Sequence, residues 1–486
     1  MQNILPLENK WMSWFSWGVL LVSALSFAYT SNPVYIGVPF VFLFLLLTGI
    51  NWKTAFWVLL FSIPLSIDFS FFNKSLSTSV PDEPIMWLFL LLLMFLIAKR
   101  PTSITRAWLS NPIVTIILLQ FLWMIVAVCC SRMHLVSVKF MFAKMWFLAS
   151  FFIIPQFIFT EKKDFKRGFL LLVIPVYATV LWVFARHALL GFSFRRIEKA
   201  IGDIYFNHVD YSTVMSMMYP LLWVAVPLTK GKNPVLRGIL WVAIIFMLPA
   251  IYFTYARAAI LAVVFSIVLG ITIRYKLAHL IMPAFYGIIA LGMVYMINDN
   301  KYVDFRPDYQ HTFMRKKFID HIVATFRGQD MSSMERLYRW VAAVRMSKDE
   351  PIKGYGPNTF YYYYKPYGVP MFKTYVSRNF EKSTSHNYFL YMLVEQGWPA
   401  MLLYAALVLV VIAQAQKTYH RFKDRFYKYC TLGAAMMFGA GFINNFFSEL
   451  IETHKVGSLF YLSIALIVIL SMKSKQMEKE VETAAV

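Results

Sequence analysis

The stretch SHNYFLYMLVEQG, residues 385–397, decides how this chain is read. It closes a long polar, aromatic and arginine-rich segment that begins near Asn298, and it opens a new apolar helix. Outside that segment nearly everything reads as membrane. The chain has 486 residues, 59% of them hydrophobic and 15% charged, with a mean hydropathy of +0.57. Soluble domains run nearer half apolar and a quarter charged. Repeated apolar runs of roughly 17–25 residues therefore mark an all-α, polytopic membrane protein.

Working outward from that stretch, spans are expected at 13–30, 34–50, 54–71, 84–98, 111–130, 138–159, 168–190, 211–229, 237–254, 257–273, 278–297, 387–414, 430–447 and 456–472. This is a bundle of about 12–14 transmembrane helices with one large hydrophilic loop. Pro39 and Pro64 interrupt the second and third runs, which can equally form one broken or re-entrant unit. The first run has no small-residue cleavage site after it and reads as a retained helix. Cys129, Cys130 and Cys430 lie inside apolar runs and give neither a disulfide framework nor a metal-ligand spacing.

Orientation follows from the basic residues of the short loops. Lys99, Arg100 and Arg106 form one cluster, and Lys162, Lys163, Lys166 and Arg167 a second. Lys230, Lys232 and Arg237, then Arg274 and Lys276, then Lys417, Arg421, Lys423, Arg425 and Lys428 follow on the same side, which the positive-inside rule makes cytoplasmic. The loops 31–33, 72–83 and 448–455 face the other way, and the segment after the eleventh span must join them. Much of the formal charge of +22 is thus orientation charge, scattered between spans, and nucleic-acid binding is the wrong inference.

Two outward regions break the expected poverty in positive charge. One is 186–210, with Arg186, Arg195, Arg196, Lys199 and His208. The other is 298–385, with Arg306, Arg315, Lys316, Lys317, Arg327, Arg336, Arg339, Arg345 and Arg378. Both would gather guanidinium groups at the outer leaflet, where lipid-linked anions can be reached. Arg257, at the outer end of the tenth span, reads either as a snorkelling interfacial arginine or as a fixed cation for a phosphate. Arg336 and Arg339 lie on a stretch with helical spacing, with Leu337, Val341 and Val344 on another face. They are solvated arginines of a surface helix, or a planar pair suited to a pyrophosphate.

His386 has the same two readings: a structural histidine, or a neutral-pH base beside a basic loop. Glu395, inside the following span, must find a partner, for which an arginine is one choice. Tyr355, Tyr367 and the run Tyr361–Tyr364 stack on sugars or sit at headgroup level. There is no P-loop, no dinucleotide fingerprint and no metal-ligand cluster; Asp82 and Glu83 form an isolated acidic pair. A transporter or flippase would be expected to show repeats with polar residues at midplane, and neither is visible.

Taken in order, Arg257-Ala258-Ala259, Arg336 with Trp340, Asp349 to Phe360, and His386-Asn387 through Glu395 and Gly397 resemble the O-antigen ligase and polymerase superfamily. The likeness is sharp over about 250–415 and topological elsewhere. It implies a GT-C-type membrane glycosyltransferase of the bacterial inner membrane, acting on the periplasmic face without metal or cofactor. The substrate implied is a glycan on undecaprenyl diphosphate, and the acceptor lipid A-core or a growing glycan; ligase and polymerase share these motifs. Arg257 and Arg336 would grip the diphosphate and His386 would act on the acceptor, with Arg339, Arg195, Arg196, Asn387 and Tyr355 as substrate-binding candidates. Thr384 stands where the family often has a second histidine. The implied organisation is an N-terminal bundle (1–297), a periplasmic loop with amphipathic helices (298–386), C-terminal spans (387–472) and a cytoplasmic tail (473–486).

Overall fold

The computed structural model describes residues 18–19, 21–26, 28–29, 48–49, 51–71, 76–231, 233–304, 331–368 and 384–484. Among them, ten helices are long and apolar enough to cross a membrane, and the fold is an all-α polytopic bundle. A helix α1 (Asp82–Lys99), with charges at both ends, precedes them. The ten are α2 (Pro112–Cys129), α3 (His134–Ile158), α4 (Lys162–Leu189), α5 (His208–Thr229), α6 (Pro234–Tyr252), α7 (Arg257–Arg274), α8 (Ala278–Ile297), then α10 (Tyr388–Arg421), α11 (Arg425–Phe447) and α12 (His454–Ala484). Between α8 and α10 lies α9 (Met331–Asp349), a polar helix.

Boundaries follow local chemistry. Asn111, Asn207, Asn233, Asn387 and Asp424 cap α2, α5, α6, α10 and α11 with side-chain oxygens on first-turn amides. The run expected to span 54–71 behaves differently. It is helical only over 51–62, passes through a 3-10 turn at Pro64, and ends in strand β1 (Ile67–Phe71) paired antiparallel with β2 (Leu76–Val80). Proline removes an amide donor, and the Asp68/Ser70 alternation suits a hairpin better than a span. The expected spans 13–30 and 34–50 lie largely outside the described residues.

The bundle is organised around α11 and α12, whose apolar windows are 83% and 89% buried, against 6% for α8 at the periphery. Small residues let neighbours approach α11 closely. Gly270 of α7 meets Met436, Gly439 meets Leu269, Gly433 meets Val224 of α5, and Gly441 meets Met217. These pairs run in opposite directions along the chain, so α5 and α7 are both antiparallel to α11. Their first residues therefore lie at the same end as Phe447.

The opposite end gathers the basic loops: Lys162 pairs with Asp424, Arg421 with Glu478, and the His420 ring bonds to the Ile273 carbonyl. The described residues of the other five connections between these spans, at 130–133, 190–207, 253–256, 298–387 and 448–453, meet at the first end. Arg132 of the first pairs with Glu350 of the fourth, Tyr255 of the third bonds to Phe192 of the second, and Thr453 of the fifth to Asp210.

Candidate active site

The motif from Asp349 to Phe360 forms a backbone lock between the polar segment and α10. Tyr355 and Gly356 donate their amides to the carbonyls of Val394 and Glu395, both at 2.9 Å, and Trp398 donates to Pro351 at 2.9 Å. The Glu395 carboxylate, for which an arginine was one expected partner, instead accepts from the backbone amides of Asn358 and Phe360. Amide donors satisfy a buried carboxylate without bringing in a second charge.

Two glycines make the approach possible. Gly354 (φ +66°) and Gly397 (φ +79°) occupy left-handed backbone, and a Cβ on Gly397 would stand 1.9 Å from the Ile352 carbonyl oxygen. Gly397→Ala is expected to destabilise by about 3 kcal/mol, roughly 1–2 from the left-handed conformation and the rest from displaced backbone. A thermal unfolding midpoint in detergent equal to wild type would reject the lock.

On α9 the buried face differs from the one read from apolar spacing. Leu337, Val341 and Val344 are only half-buried, whereas Glu335, Tyr338, Arg339, Ala342, Ala343 and Met346 are buried. Arg339, 3% exposed, donates to Glu335 Oε1 at 3.2 Å and to the Thr384 carbonyl at 2.8 Å. It is thus no solvated surface arginine: an i, i+4 ion pair within the helix makes its burial tolerable. Its guanidinium is a clamp on the chain just before His386.

Arg336, one turn earlier and half-buried, donates from Nε to the Phe447 carbonyl at 3.1 Å. His386 sits between these elements in left-handed backbone (φ +53°), just ahead of the α10 cap. Asn387 serves as that cap and also donates to the Phe446 carbonyl at 3.0 Å. Glu449, from the connection after α11, places Oε1 3.9 Å from His386 Nδ1.

The electrostatics follow from this packing. Burial, then the Arg339 and Arg336 guanidinium groups, lower the His386 imidazole to about 3, so the ring is neutral at ordinary pH. Burial raises the Glu449 carboxyl, with the same two arginines pulling the other way. Glu449 had no motif to reveal it. The one signal was a pair of acids, Glu449 and Glu452, in a short outward loop.

Arg257 opens α7, a helix with no side-chain cap, and the left-handed residue Tyr255 turns the chain into it. The antiparallel packing of α7 on α11 carries it to the end where Phe447 and Glu449 lie. A cation at a helix N-terminus opposes the helix dipole, and an anion docked there would be held by both charge and amides. The 190–207 connection packs beside it: Phe192 stacks on Phe253 with ring centroids 4.1 Å apart, and Phe194 meets Tyr255. Arg195 and Arg196 lie exposed on that connection.

Tyr355 is 1% exposed, bonds to the Tyr367 hydroxyl at 2.8 Å and lies under Arg132 at 4.6 Å; it packs the lock and offers no open face. Tyr364 stacks on Phe360. Arg306, Arg315, Lys316, Lys317, Arg327 and Arg378 lie outside the described residues. Asp82 is buried beside His454 at the start of α1, and no group of His, Cys, Asp and Glu among the described residues is arranged to hold a metal ion.

The fold and this end of it define a multi-spanning membrane protein with arginines and a neutral histidine gathered at a helix start. Residues 242–405, which hold Arg257, Arg336, Arg339 and His386, match the family model described as O-Antigen ligase. The family acts in glycosyl transfer during polysaccharide synthesis, and the match supports an enzymatic role at that coarse level. No curated protein matches the chain.

Proposed function

We propose that this protein transfers a glycan from undecaprenyl diphosphate to an acceptor hydroxyl, on lipid A-core or a similar glycolipid, at the periplasmic face of the inner membrane. The observation that carries this reading is the convergence of Arg336, Arg339, His386 and Glu449 within one buried-to-open junction, inside a domain of this family.

The chemistry is a single displacement. The acceptor hydroxyl attacks the anomeric carbon as its bond to the diphosphate oxygen breaks, inverting that centre. The electron pair goes to the leaving diphosphate, whose charge Arg336 and Arg257 offset as preorganised cations. The hydroxyl proton goes to His386. With Nδ1 turned toward Glu449, Nε2 is the nitrogen that takes it. Arg339 and Asn387 act by holding the 384–387 turn, and Arg195 and Arg196 extend the cationic surface beside Arg257.

Purified protein in liposomes, given a lipid-diphosphate-linked oligosaccharide and acceptor without added metal, is expected to release undecaprenyl diphosphate. Transport of labelled lipid without acceptor, and no release, would favour a flippase instead. Cells lacking the protein are expected to keep long glycan chains on the carrier. Single repeat units there would identify a polymerase.

A further inference from the structure

Next to the site lies a buried polar network that the proposed reaction does not use. Lys144 of α3 donates to both carboxylate oxygens of Glu452, each at 2.8 Å, and to the Tyr461 hydroxyl of α12 at 3.2 Å. Tyr388, the first residue of α10, donates to Glu452 Oε1 at 2.8 Å. The carboxylate thus ties α3 and α10 to the 448–453 connection, and Lys144 joins α12 to them. Two members of the network lie close in sequence to residues of the site: Tyr388 two positions after His386, and Glu452 three positions after Glu449.

Burying an ammonium and a carboxylate inside a membrane bundle is costly even when they pair, and a well-packed apolar pair would serve stability as well or better. Retention of the ion pair therefore suggests geometry as its purpose. A buried pair has one good arrangement, whereas apolar contacts tolerate sliding. The π-helical turn at Leu148–Ile153, directly after the α3 segment bearing Lys144, is a feature common where a helix is shaped around a site.

A cavity of about 40 Å³ adjoins the pair, lined by Lys144, Tyr388 and Tyr461 together with Gln120, Gln396 and Tyr404. Gln120 Nε2, Gln396 Oε1 and Tyr404 Oη are buried without a hydrogen-bonding partner in the protein. At roughly 10–15 Å³ per water, this space suits a few ordered waters bonded to those groups. Water there can also solvate whichever partner a substitution leaves behind.

We infer that Lys144 is a positioning residue, acting through Glu452 and Tyr388 to set His386 and Glu449 relative to the arginines. This rests on the transfer reaction proposed above. It adds that the register between α10 and the 448–453 connection is held from below by an ion pair on a third helix.

The test uses the full chain in liposomes with the lipid-linked donor and acceptor. Lys144→Met is expected to lower kcat about 100-fold while the donor KM stays within about twofold, because the arginines that hold the diphosphate are untouched. Adding Glu452→Gln to Lys144→Met should recover part of that loss, since it removes the stranded carboxylate. Tyr388→Phe, which deletes one hydroxyl, should cost about tenfold in kcat and keeps the test open if the lysine variant fails to fold. Unchanged kcat in Tyr388→Phe and Lys144→Met, or additive losses in the double variant, would overturn the inference.

A second readout does not depend on activity. Amide hydrogen exchange across 384–390 and 446–453 should quicken in Lys144→Met, and unaltered exchange in both segments would equally overturn it. If wild-type protein releases no polyprenyl diphosphate, the proposed reaction fails, while the exchange measurement still decides the positioning role.

Discussion

Arg336→Ala should lower kcat/KM for glycan transfer about 10³-fold, close to 4 kcal/mol of lost transition-state stabilisation. The charge that develops on a departing diphosphate is spread over several oxygens, and removing one preorganised cation leaves it facing a partly buried, poorly solvated surface. Arg336→Lys should regain only part of the loss. A point charge cannot both reach the Phe447 carbonyl and present a planar fork to phosphate oxygens. The variant must be shown to be folded in the membrane, by its elution and unfolding midpoint in detergent. Transfer at the wild-type rate in a folded Arg336→Ala protein refutes the site.

His386→Ala should remove general-base assistance and slow kcat by roughly 10²–10⁴-fold. The pH dependence is the more specific expectation. Because burial and two arginines hold the imidazole at about 3 in the free protein, its lone pair stays available as the medium is acidified. A histidine near its ordinary value would instead lose kcat/KM below about pH 6.5. The free-enzyme profile should therefore be flat from pH 8 down to about 5, and a fall in kcat/KM centred near 6.5 would contradict the packing around the ring. Stability, unlike kcat/KM, should respond over this range. The unfolded chain takes up the proton first, so this group's contribution is full above about 6.5 and is lost as pH falls toward about 3. A docked diphosphate would offset the two guanidinium charges and make the ring a stronger base only when substrate is present.

Much of the fold was legible because hydropathy is a local property: the spans from α2 onward begin within about six residues of their apolar runs, although α10 and α12 continue well past theirs, to Arg421 and Ala484. Where proline and alternating polarity replaced a continuous run, at 64–71, the sequence pattern was read too long. Arg257, Arg336 and His386 stood out through the order of motifs that resembles the superfamily, since each taken alone had a structural reading as well. The lock at 349–360 was recognisable as a motif without its purpose being readable, since its glycines matter only against the backbone of α10.

The sequence by itself determined that this is a many-spanning helical protein resembling the O-antigen ligase superfamily, with two outward connections unusually rich in arginine. The tertiary structure alone decided which arginine clamps the chain and which lies half-open, and it brought Glu449 to the histidine from a connection that carries no motif. The reason is physical. Crossing a membrane is set by the composition of about twenty consecutive residues. Whether a guanidinium is a clamp or a ligand depends on carbonyls and carboxylates that reach it only after distant helices pack.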